Sequence, residues 1–107
     1  MSARLDPASV IAHLGGEEVL TQLGARDFES GETFLGFTLV HENAKGVHSV
    51  MIETEPNGWF RITCYGRMSP RSFQAPILGT ATQIIPENLA TVLGKLAGLD
   101  ALHHRHF

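Results

Sequence analysis

Trp59, Arg61, Tyr65 and Arg67 lie within nine positions of a 107-residue chain. Their odd numbering puts all four on one side of an extended strand, because successive strand side chains alternate between faces. Aromatic planes interleaved with guanidinium groups suit single-stranded nucleic acid: Trp59 and Tyr65 would stack, and Arg61 and Arg67 would hold anionic groups. With Phe34 and Met51 added from neighbouring strands, the same face is apolar enough to meet another protein. Glu53 falls opposite Arg61 and would neutralise it. Arg71 and Phe73 extend the basic, aromatic run. A solvated loop whose arginines balance the acidic first half is the simpler account of that extension.

Other candidate chemistry has plainer explanations. His103, His104 and His106 could chelate a transition metal, but a frayed polar chain end accounts for them as well. His41 and His48, with Glu42, carry the donor types of a metal site; a solvated loop mouth is the simpler reading. His13 sits on a helix, at the surface or as a satisfied core residue. Cys64 is the single cysteine. It is expected to point inward beside Val50 and Ile62, where a thiol is inert for want of a base or positive charge. No Ser-His-Asp pattern, paired-carboxylate motif or phosphate-cradling loop is visible. Gly15-Gly16 lacks the preceding strand and following lysine of a phosphate loop. The sequence therefore offers no catalytic residue, no metal site and no cofactor.

What must position the recognition residues is a hairpin over Glu53–Arg67, ETEPNGWFRITCYGR. Pro56 suits the first corner of a type I turn, Asn57 the second, and Gly58 the left-handed residue that closes a three-residue loop. That loop pairs Glu55 with Trp59, Glu53 with Arg61, Met51 with Thr63 and Ser49 with Tyr65. On the other face it pairs Thr54 with Phe60, Ile52 with Ile62 and Val50 with Cys64. The second set is nearly all apolar, as expected of a face that meets a core. A two-residue loop at Asn57-Gly58 would put Glu53 beside Ile62 and is rejected.

The remaining elements follow in order. Asp6-Pro7 starts a helix that carries Val10, Ile11 and Leu14 on one face. Gly15-Gly16 interrupts it, and a second short helix runs over Glu17–Leu23 to a left-handed cap at Gly24. Arg26–Glu29 is a short strand, and Thr33–His41 is a longer one with Leu35, Phe37 and Leu39 on its core face. Val47–Glu55 and Trp59–Arg67 are the hairpin strands. Met68–Pro76 is a loop or irregular edge, and Ile77–Gln83 a weaker strand. Pro86 opens the last helix, with Leu89, Val92, Leu93 and Leu96 as its stripe and Gly98 as its stop.

The length suits one domain, with 100–107 a candidate disordered tail. Hydrophobic residues make up 43% and charged residues 18%, which is a folded rather than a disordered balance. No apolar run approaches a membrane span and no signal peptide is visible, so the cytoplasm is the expected location. The net charge of −3 argues against a general nucleic-acid binder, although Gly58–Phe107 has five basic residues against two acidic.

Several stretches together resemble a small family of uncharacterised proteins carried by phages, plasmids and integrated mobile elements. Leu14-Gly15-Gly16 is followed by Leu23-Gly24-Ala25-Arg26-Asp27-Phe28, similar to the family's helix, glycine pair and Gly-Ala-basic-x-Phe strand entry. Ile85–Leu99 is similar to its closing segment. Met68–Pro76 has no counterpart there, and Leu23 stands where a polar residue is common. The resemblance implies a bacterial, mobile genomic setting and supplies no catalytic residue.

The expected architecture is α+β: N-terminal helices, an antiparallel meander of four or five strands, and a C-terminal helix on one face. The outer face, with Phe34, Thr38, Val40, Val47, Met51, Trp59, Arg61, Tyr65 and Arg67, is too apolar to be left in water. A terminal helix or loop that covers it is the ordinary expectation, a symmetric homodimer the next, and a ligand surface the third. The functional expectation is a non-enzymatic accessory protein that self-associates and binds another protein through this face. Single-stranded nucleic-acid binding there, or a small-molecule or enzymatic pocket between sheet and C-terminal helix, is the alternative.

Overall fold

The computed structural model describes residues 4–40 and 45–98. Helices α1 (Pro7–His13) and α2 (Glu17–Gln22) precede strands β1 (Ala25–Ser30), β2 (Phe34–Leu39), β3 (Ser49–Thr54), β4 (Phe60–Tyr65) and β5 (Ile77–Ile84). A 3-10 turn at Pro86–Asn88 leads into α3 (Leu89–Ala97). The five strands form one antiparallel meander in the order β1-β2-β3-β4-β5. The fold is α+β.

Local chemistry explains the boundaries. The Asp6 carboxylate accepts from the Ala8 N–H and caps α1, with Pro7 in the first turn. Gly24 (φ 80°) and Gly98 (φ 66°) are left-handed and stop α2 and α3, as their sequence positions require. The β3–β4 turn closes as read. The Gly58 N–H donates to the Glu55 carbonyl and the Glu55 N–H to the Trp59 carbonyl, each at 2.8 Å. Asn57 Oδ1 accepts from the Trp59 N–H, and Gly58 has φ 88°. The ladder then pairs Glu53 with Arg61, Ile52 with Ile62 and Val50 with Cys64. Leu35 and Phe37 meet Ile52 and Val50 across β2–β3.

All three described helices lie on one face of this sheet. Val10, Leu14, Leu20, Leu89, Leu93 and Ala97 join Leu35, Phe37, Val50, Ile52, Ile62 and Cys64 in one buried core. On β5 the inward positions are small, Gly79 and Ala81. A Cβ added at Gly79 would come within 3.2 Å of Leu96 Cδ2, so the absent side chain is what lets α3 approach. Two strands depart from regularity through non-glycine residues in the left-handed region. Asp27 (φ 56°) sits in a bulge of β1 and Gln83 (φ 56°) in one of β5.

Candidate functional site: the open face of the sheet

The outward positions of β2, β3 and β4 are Phe34, Gly36, Thr38, Ser49, Met51, Glu53, Arg61, Thr63 and Tyr65. No described helix packs on them. The ordinary expectation that a terminal helix or loop covers this face as a second core layer fails for the described helices, which bury their stripes on the opposite side. The reason is that the apolar helix stripes find the apolar inner surface of Leu35, Phe37, Val50, Ile52 and Ile62 there.

The face partly satisfies itself. Met51 lies across Gly36, its Cε 3.4 Å from where a Cβ would stand, and Phe34 folds back over Gly31. Thr38 Oγ1 stands 3.1 Å from the Arg26 carbonyl oxygen and 3.2 Å from Asp27 Oδ2, its single proton shared between them, and this draws the β1 bulge over the face. Thr63 is nearly buried, with its hydroxyl 3.5 Å from that of Thr80. Arg61 forms the expected cross-strand pair with Glu53, at 3.1 Å. Between β1 and β4 lies an open depression of about 210 Å³, lined in part by Asp27, Glu29, Thr38, Ser49, Met51 and Tyr65. Its acids come from the β1 bulge, which no alternation rule in the sequence anticipates.

The expected site residues therefore divide. Phe34, Met51 and Tyr65 are half-buried on the outer face, and Arg61 is exposed there but paired. Trp59 is exposed at the hairpin tip, beyond the regular ladder, and Arg67 is exposed beyond the end of β4. Val40 is exposed. Val47 is a correction: it is buried in the core, because regular pairing begins only at Ser49 and the period of two does not reach it. Arg71 and Phe73 are exposed in a loop reversal closed by backbone bonds between Ser69 and both Phe73 and Gln74.

Cys64 is fully buried, and burial pushes its thiol from 9.0 up to about 11, the opposite of nucleophile activation. His13 is exposed on α1, with Nδ1 2.8 Å from the Ser9 carbonyl oxygen. Of the proposed metal donors, His48 is half-buried, whereas His41, Glu42, His103, His104 and His106 lie outside the described residues. Among the described residues no group of three metal-ligating side chains converges. A further opening, about 360 Å³, lies between α1, α2 and the β1–β2 edge, lined in part by Pro7, Ile11, Thr21 and Phe28. It is not between the sheet and the C-terminal helix, where Leu89, Leu93 and Ala97 are fully buried. No described helix is long and apolar enough to cross a membrane.

No protein-family model, curated protein or solved structure matches the chain.

Proposed function

We propose that this chain is a non-enzymatic accessory protein that binds another protein through the open face of its sheet. The observation that carries this is the one-sided stacking of the three described helices, which leaves Phe34, Met51 and Tyr65 half-covered beside the Arg61–Glu53 pair. A protein partner suits the face better than nucleic acid. Asp27, Glu29 and Glu53 stand on or beside it, and its central arginine is already neutralised. The setting implied by the sequence resemblance, a bacterial mobile element, and a cytoplasmic location belong to the same proposal. So does self-association as a homodimer.

Affinity capture from the native host with the wild type and a Met51→Asp/Tyr65→Asp double variant tests it. A protein retained by the wild type and lost by the double variant, but kept by Glu18→Ala on α2, supports the reading. A captured set indifferent to the outer-face changes overturns it. So does salt-sensitive oligonucleotide binding that Trp59→Ala abolishes, which would assign the face to single-stranded nucleic acid.

A further inference from the structure

The two edges of the sheet are treated differently. Edge strand β1 is interrupted by the Asp27 bulge and carries Arg26, Asp27 and Glu29, the usual devices that stop a sheet from recruiting another strand. Edge strand β5, ILGTATQI, carries no charged residue over its eight positions, and its first two, Ile77 and Leu78, are exposed. Met68 and Phe73 are also exposed, in the loop that leads into it. Its bulges fall near its ends, leaving Gly79–Ala81 in regular pairing with β4.

The ladder shows which backbone groups are free. Gly66 donates its N–H to Pro76, so the even-numbered residues of β4 face β5, and Tyr65 presents its carbonyl to His48 on the β3 side. Ile62 and Cys64 then bond Ala81 and Gly79, and the intervening Thr80 turns its N–H and C=O outward. We propose that β5 pairs antiparallel with β5 of a second copy about a two-fold axis at Thr80. This register opposes Thr80 to itself and Leu78 to Thr82 of the other copy.

Charge supports a second copy as the occupant. Arg67 and Arg71 are at or near the end of β5 that begins with Ile77; the Gly66–Pro76 bond fixes Arg67 there. At the other end the Glu55 carboxylate accepts from the Gln83 N–H, and Glu87 follows in the 3-10 turn. An antiparallel two-fold brings the basic end of each copy to the acidic end of the other, a self-complementary arrangement. The product is a continuous ten-stranded sheet whose two outer faces join into one surface. This inference rests on the self-association proposed above and gives it a surface, the edge; the partner-binding face is left free, so either can fail without the other.

Sedimentation equilibrium across a concentration series and oxidative cross-linking, with three variants, test it. The wild type is expected to dimerise, and Thr80→Pro, which removes the outward N–H together with the Thr80 hydroxyl's bond to the Ile62 carbonyl on β4, to raise the dimer dissociation constant by about tenfold or more. Independently of that variant's folding, Thr80→Cys is expected to form a covalent dimer under mild oxidation, and Glu29→Cys on the opposite edge is not. A wild-type monomer at every concentration overturns the proposal. So does a dimer that a folded Thr80→Pro leaves unchanged, or equal cross-linking from both edges.

Discussion

The two faces of the β3–β4 hairpin are built from alternate residues of the same twelve-residue ladder, yet they have opposite fates. Ile52, Ile62, Val50 and Cys64 are 0–2% exposed beneath the helices, whereas Met51, Glu53, Arg61 and Tyr65 on the reverse side keep contact with solvent. Backbone bonding is common to both faces, so the difference lies in what each side chain displaces. Aliphatic groups on the inner face trade water for α1 and α3, and each fully buried one is worth roughly 1.5–3 kcal/mol. The outer side chains trade water only for their neighbours. A residue's place on the outer face is thus a matter of solubility and recognition more than of stability.

Truncating each face at a comparable point should separate them most clearly. Ile62→Ala should destabilise the fold by about 2–5 kcal/mol in urea titrations, since it opens a cavity in a packed core. Met51→Ala should cost about 1 kcal/mol or less. Equal losses would mean that the outer face is a second core after all.

A smaller inner-face effect comes through proton linkage at Cys64. Its folded pKa lies above the unfolded value, so its contribution is fully present below pH 9.0 and is lost as pH rises toward about 11. The loss should be on the order of 2 kcal/mol, absent in Cys64→Ala, and visible as a fall in melting temperature over that window. The folded thiol should also react slowly with a thiol reagent near neutral pH.

The hairpin turn that sorts the faces should respond next. Gly58→Ala places a side chain at φ 88° in open space, so its cost of about 1 kcal/mol is backbone strain rather than a clash. The smallest effect belongs to the exposed Arg61–Glu53 pair. A double-mutant cycle should give a coupling of about 0.2–1 kcal/mol that fades with added salt. A larger coupling would show that the outer face is drier than its neighbours suggest.

Much of this was legible in the chain because the signals are local. Pro56-Asn57-Gly58 specifies a loop length, and loop length specifies every pairing from Thr54–Phe60 to Ser49–Tyr65. The glycine at position 98 and the Asp6-Pro7 pair marked helix ends for equally local reasons. The Gln83 bulge was not legible: its N–H is bonded by Glu55, 28 residues earlier, and no neighbour in sequence announces it. Nor was the Asp27 bulge, which is held by the Thr38 hydroxyl across the ladder. Nor is Val47 legible from alternation: it is buried because the period of two holds only where pairing runs, from Ser49 onward.

By itself the sequence determined the period of the strands, the turn that sets their register, and therefore which side chains share a face. Only the tertiary structure decided that every described helix would settle on one of those faces and leave the other open. A helix stripe seeks any apolar surface it can reach, and which one it reaches depends on distant residues, such as the small Gly79 and Ala81 that admit α3. That choice is a competition between surfaces, and no local pattern records its outcome.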